Sequence, residues 1–288
     1  MERLGLGYEA LRARNPRLVY CSLSGYGLTG PLASRAGHDL TYLARCGVLG
    51  LQGPPDGPPQ VPSTQMADIG GALWSVVAIL AALHERSRTG VGARVDVSLM
   101  ESSMAFAAAE LGQMLAGGTL RRGDELLTGG LAVYATYATK DGRYVALAAL
   151  EPKFWRAFCA GIGREADLEA LAPGPHQAAW KEELTRVFRS RTRAEWEAFG
   201  RVHDCCLEPV LEPEELRDDE QLKARGVFFE TESAWGRIGQ VRLPVGERDG
   251  REDAPPPRRG EHTVEVLREG GFGEAEIEEM KAAGVLGV

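Results

Sequence analysis

The run Asp68-Ile69-Gly70-Gly71-Ala72-Leu73-Trp74-Ser75-Val76-Val77-Ala78-Ile79-Leu80-Ala81-Ala82-Leu83, then Arg88-Thr89-Gly90 and Ala93-Arg94-Val95-Asp96-Val97, decides how this chain folds. Its apolar part is too long for a strand and closes on a glycine, which predicts a helix over 69–88. The apolar core of that helix, 69–83, reads as too short to cross a bilayer. Residues 93–97 alternate apolar and charged side chains, as a strand does. Upstream, Leu18-Val19-Tyr20-Cys21-Ser22-Leu23 reads as a buried strand behind a short helix within 1–15, and Gly25, Gly27 and Gly30-Pro31 force a loop. Further helices are predicted over 39–50 and 99–116, with 52–62 an irregular surface segment rich in Pro and Gly. Strand, helix, strand, helix is the grammar of an α/β layer with a parallel sheet.

Beyond residue 116 the pattern changes. Gly117-Gly118, Arg121-Arg122 and Gly129-Gly130 mark 117–131 as a linker. The stretches 134–139 and 143–149 flank Lys140-Asp141-Gly142, an Asp-Gly hairpin turn that antiparallel strands use. Helices follow over 153–161, 180–189 and 193–201, so 132–250 forms a smaller α+β unit. Residues 251–259, with Pro255-Pro256-Pro257, read as a connection into tail helices over 263–269 and 274–283. The expected layout is therefore a large domain over 1–116, a linker over 117–131, a small domain over 132–250, and a segment 251–288 returning to the large domain.

With 288 residues, 44% of them hydrophobic and 26% charged, the chain can build its core without metal or disulfide staples. Five cysteines without CxxC spacing read as thiols in a reducing compartment, and Cys205-Cys206 reads as packing. A net charge of -8 opposes loose binding to nucleic acid or anionic lipid, while local basic sites can still hold a phosphate. The start, Met1-Glu2-Arg3-Leu4, lacks the basic and apolar stretches of a secretion signal, so a cytoplasmic location is expected.

Gly37-His38-Asp39 and Asp68-Ile69-Gly70-Gly71 are the pair of motifs that point to chemistry. A side chain that trades a proton near neutral pH and another that stays anionic suit the movement of a carbon-bound hydrogen. On the residues alone, the plainer reading of Asp68 is a helix N-cap, with its glycines allowing close approach of a ligand. His38 at a helix start can serve the backbone, and Glu151 before Pro152 can be a surface carboxylate at a helix entrance. Tyr42, four residues after His38, shares its face and can pack in the core, while Arg3 can be a solvated helix charge. His203-Asp204 repeats the dipeptide in a different setting and reads as a decoy.

Asn15 to Gly27, Gly37 to Leu43, Ala67 to Gly71, Arg88 to Gly92, Leu150-Glu151-Pro152 and Gly260-Glu261-His262-Thr263 together resemble the family III CoA-transferases of CaiB/BaiF type. More narrowly they are similar to the α-methylacyl-CoA racemase branch. That resemblance implies an open, Rossmann-like parallel sheet in a CoA-binding large domain, a smaller α+β domain, and an interlocked homodimer. It also implies that a leading strand and helix are missing ahead of Met1, leaving the large domain incomplete at its N-terminus. His38 and Asp68 become the two proton carriers on opposite faces of an acyl-CoA α-carbon, with Glu151 orienting His38. The backbone N–H of Asp39 is assigned to the enolate oxygen, Gly37 and Tyr42 to the thioester and CoA, and Arg3 to the CoA phosphates. No cofactor beyond the CoA of the substrate and no metal is implied. Two alternatives stand beside racemisation: CoA transfer between carboxylic acids with Asp68 as nucleophile, and an inactive or binding-only homologue. Gly-His-Asp, Leu-Glu-Pro and the short glycine pair Gly129-Gly130 favour the racemase branch.

Overall fold

A computed structural model describes residues 1–245 and 254–287, which divide into two compact units, Met1–Val210 and Leu211–Val288. The first unit opens with a 3-10 turn, Glu2–Leu4, and helix α1, Tyr8–Arg14. Strand β1, Val19–Ser24, leads through a glycine-rich loop to α2, Asp39–Arg45, and α3, Val48–Leu51. Helix α4, Met66–Thr89, returns the chain to β2, Ala93–Ser98, which runs parallel to β1 with Val19 opposite Ala93 and Ser24 opposite Ser98. The predicted parallel α/β layer is thus present, with α4 as its crossover helix.

Three expectations need correction here. The helix predicted over 99–116 is two helices, α5, Leu99–Phe106, and α6, Ala108–Leu115, broken where Ala107 leaves helical geometry and enters the core beside Tyr42 and Leu43. Helix α4 starts earlier than predicted and runs for 24 residues, about 36 Å at 1.5 Å per residue, so its length and composition do not exclude a membrane span. It nevertheless packs on β1, β2, α2 and α5 as a crossover helix does. Its buried face is small, Ala67, Gly70, Gly71 and Ser75. Its large apolar side chains point outward: Ile69, Leu73, Val76, Val77 and Leu80 recur at helical spacing and are 52–59% exposed. The third correction concerns Gly70 and Gly71, expected to admit a ligand. A Cβ on Gly70 would stand 2.5 Å from the Phe106 ring, and one on Gly71 would collide with Leu99, so both glycines serve helix packing.

The remainder of this unit holds the larger core. Strands β3, Tyr134–Ala138, and β4, Tyr144–Ala148, form the predicted Asp-Gly hairpin, and β5, Leu207–Pro209, adds antiparallel to β4. Helices α7, Pro152–Gly161, α8, Gln177–Phe188, and α9, Arg193–His203, pack Trp155, Phe158, Phe188, Trp196 and Phe199 against that sheet. The rings of Phe158 and Phe188 lie 5.5 Å apart, and those of Phe188 and Trp196 4.8 Å apart. Gln177 is buried with its amide fully used: it accepts from Ala132 N–H at 2.7 Å and donates to the carbonyls of Ala170 and Ala172.

The second unit contains α10, Glu220–Ala224, the antiparallel hairpin of β6, Phe228–Ser233, and β7, Gly236–Val241, then α11, Thr263–Glu269, and α12, Glu274–Ala282. Both tail helices lie where the sequence places them. The expected connection over 251–259 falls partly on 251–253, outside the described residues.

Candidate active site

The loop that leaves β1 meets the start of α5, which follows β2 directly, at the carboxyl ends of the two parallel strands, where open α/β sheets bind their ligands. Met100 N–H donates to the Gly25 carbonyl at 3.0 Å, which ties the loop after β1 to the start of α5. Ser24, the last residue of β1, buries a hydroxyl that makes no hydrogen bond among the described residues.

His38 is the N-cap of α2 in extended geometry, with φ -135° and ψ 170°. Thr41 holds its backbone from both sides, accepting the His38 N–H at 3.0 Å and donating its hydroxyl to the His38 carbonyl at 2.8 Å. The imidazole itself has no hydrogen bond among the described residues, and the residue is exposed. Its backbone is fixed while its ring stays open to a partner. The N–H of Asp39, in the first turn of α2, also has no acceptor among the described residues.

Tyr42 is buried one turn further along. Its ring occupies the space beside Gly37 and Gly25, where a Cβ at either position would come within 2.6 Å of it. Tyr26 meets it edge-on, with ring centroids 5.0 Å apart. Burial pushes the Tyr42 hydroxyl above its ordinary pKa, and the neighbouring Tyr26 and the Asp68 charge add to the effect. Tyr42 therefore keeps its proton at neutral pH within reach of the Asp68 charge.

Asp68 was expected to cap α4. The cap position is Gln65 instead, without a side-chain capping bond, and Asp68 is the third residue of the helix. Three of the backbone donors that a helix start leaves open, those of Met66, Ala67 and Asp68, nonetheless have partners, and Ile69 N–H makes the first bond of the helix itself. Met66 N–H reaches Thr64 O at 3.0 Å, and Ile69 N–H reaches Gln65 O at 3.0 Å. The N–H groups of Ala67 and Asp68 both donate to one oxygen of the buried Asp39 carboxylate, at 2.6 and 3.1 Å. The loop bearing His38 and the helix bearing Asp68 are thereby joined through the residue that follows His38. The Asp68 side chain is exposed.

Glu151 is exposed and directly precedes α7, close enough to Cys206 for its charge to raise that thiol's pKa after burial. No hydrogen bond or ion pair joins it to His38 or Asp68 among the described residues. Arg3 lies exposed in the first 3-10 turn without an ion pair among the described residues. His203, the expected decoy, lies over Phe199 at 4.3 Å between ring centroids. A cavity of about 420 Å³ lies between the turn containing Thr128 and Gly129 and the sheet residues Tyr134, Thr136, Ala146 and Ala148. Among the described residues no group of three or more His, Cys, Asp or Glu side chains is arranged to hold a metal.

The profile of CoA-transferase family III matches residues 1–263. The chain belongs to that family. It is 36% identical over 295 residues to an alpha-methylacyl-CoA racemase of Homo sapiens, across 98% of this chain and 75% of that protein. A succinate–glutarate CoA-transferase of Agrobacterium fabrum is 33% identical, across 93% of this chain and 69% of that protein. Among solved structures, a CAIB/BAIF family protein from Brucella suis superposes with a TM-score of 0.73 at 30% identity, over 93% of this chain and 72% of that one. Family III membership agrees with the resemblance carried by the Gly-His-Asp and Asp-Ile-Gly-Gly segments.

Proposed function

We propose that this family III protein racemises a 2-methylacyl-CoA thioester by proton transfer through an enolate. The observation that carries the reading is the Asp39 carboxylate, which bonds the Asp68 backbone while the neighbouring His38 presents an imidazole unengaged by the described residues. Two proton carriers of different type thus arise from adjoining helix starts, and the similarity to alpha-methylacyl-CoA racemases supports the same chemistry.

A thioester acidifies the adjacent C–H, but the carbanion still needs charge stabilisation and a positioned base. Neutral His38 takes the α-proton from one face, and the electron pair moves onto the thioester oxygen. The free N–H of Asp39 receives that oxygen, and Asp68 serves the opposite face and returns the proton there. The reverse direction exchanges the two roles. Gly37 and Tyr42 border the thioester and CoA, Arg3 meets the CoA phosphates, and Glu151, which is not bonded to His38 among the described residues, turns to orient the imidazole when substrate binds. The substrate's own CoA is the sole carrier group in this scheme. The protein acts in the cytoplasm as a homodimer, and the bare apolar stripe of α4 supports a second copy as its cover.

The transferase relatives favour a second reading, CoA transfer between carboxylic acids with Asp68 as the nucleophile. Incubation of a 2-methylacyl-CoA in D2O separates the two. Loss of the α-proton signal by NMR without any acid acceptor supports racemisation, whereas acyl-CoA exchange that requires an added carboxylate supports transfer and overturns the first reading.

A further inference from the structure

The Asp39 side chain has a place in this site that the reaction scheme leaves unused. It is buried, it opens α2, and one of its oxygens accepts two backbone N–H groups of a different helix 28 positions away. The local cap residue of α4, Gln65, contributes no side-chain bond, so Asp39 supplies the capping of that helix start. We propose that Asp39 is a positioning residue, whose carboxylate sets the distance between the His38 loop and the Asp68 helix turn. The proposal rests on the racemase reading for its kinetic consequence and on geometry alone for its structural one.

Both proton carriers are exposed, so neither is held in place by burial of its own side chain. What fixes them is backbone: Thr41 clamps His38, and Asp39 clamps Ala67 and Asp68. Since Asp39 directly follows His38, one side chain carries the hydrogen-bonded link between two helix starts that also pack through Tyr42, Leu43 and Ala67. Its bonded oxygen is enclosed and occupied, so it does not itself exchange a proton with substrate. Without it, two N–H groups at the start of α4 lose their partner and the first turn frays, moving Asp68 relative to His38. A displacement of about 1 Å in a proton-transfer geometry costs about 100-fold in rate.

The test compares Asp39→Ala, Asp39→Asn and the unsubstituted protein by α-proton exchange of a 2-methylacyl-CoA in D2O, together with amide hydrogen exchange of the peptide spanning 66–70. Asp39→Ala is expected to lower kcat about 100-fold with KM within about threefold. Asp39→Asn, which keeps a carbonyl acceptor, restores kcat to within about tenfold of the unsubstituted protein and serves if the alanine variant fails to fold. Amide exchange at 67 and 68 accelerates in the alanine variant. Phe188→Leu, in the separate aromatic core, lowers stability without changing kcat. An unchanged kcat in Asp39→Ala, or an equal loss in Phe188→Leu at matched stability, overturns the proposal. If the unsubstituted protein exchanges no α-proton, the racemase reading fails by itself. The amide exchange then decides: lost protection at 67 and 68 upholds the clamp, and unchanged protection overturns it.

Discussion

The ring of Tyr26 meets that of Tyr42 edge-on, with centroids 5.0 Å apart and planes at 80°. The pair closes the loop after β1 against α2, and Gly37 gives it room. A Cβ on Gly37 would lie 2.6 Å from the Tyr42 ring, 2.8 Å from Thr41 Oγ1 and 3.1 Å from the Tyr26 hydroxyl. Gly37→Ala should therefore overpack a buried contact at a cost of about 1–3 kcal/mol. Thermal unfolding by circular dichroism should show a lower Tm, by about 2–4 °C for each kcal/mol in a domain of this size. An unshifted Tm would mean that the aromatic pair yields freely.

His38→Ala and Asp68→Asn should each slow α-proton exchange by about 10²- to 10⁴-fold. Because both side chains are exposed, the accompanying stability change should stay small. Asp68→Asn also removes a negative charge from the first turn of α4, a loss of about 0.3–1 kcal/mol readable by urea unfolding. Near-normal exchange in either variant removes that residue from the scheme.

Burial raises the thiols of Cys159 and Cys205 from 9.0 to about 11. At pH 8 each is then ionised to about one part in a thousand, and the thiolate is the reactive form. Iodoacetamide should label the half-buried Cys21 and Cys206 well before Cys159 and Cys205, as peptide mass spectrometry would show, and denaturant should erase the difference. Linkage fixes the sign of the pH effect. Below pH 9 these two thiols are protonated in both states, while between 9 and 11 the unfolded chain releases protons that the folded chain keeps, so stability falls with rising pH.

The outward stripe of α4 gives a prediction on assembly. Sedimentation should show a dimer, and Val77→Glu with Leu80→Glu should yield monomer, since charge placed on an apolar interface is strongly disfavoured. A monomeric unsubstituted protein would leave the stripe to another occupant.

Much of the architecture was readable from local pattern, and the departures have local causes. The apolar run after Asp68 announces α4, and Asp141-Gly142 announces the β3–β4 hairpin. The start of α4 was hidden because its cap comes from Asp39, far away in sequence, while Asp68 imitates a cap in the helix's own sequence. The β6–β7 hairpin escaped because its turn, Ala234-Trp235, lacks the Asn-Gly or Asp-Gly signature, and β5 is three residues ending in proline. The break at Ala107 leaves the apolar pattern on either side undisturbed. In the site, His38 and Asp68 stood out by residue type and family resemblance. The buried Ser24 hydroxyl, the Tyr26 contact and the Asp39 carboxylate did not, because each matters through a neighbour that only folding brings near.

Helix α4 presents an acid on its first turn and an oily flank along the turns that follow. A cover seated against the flank would order the same helix that carries the acid. Under the proposed scheme, association on the flank and proton transfer at Asp68 then share one helix.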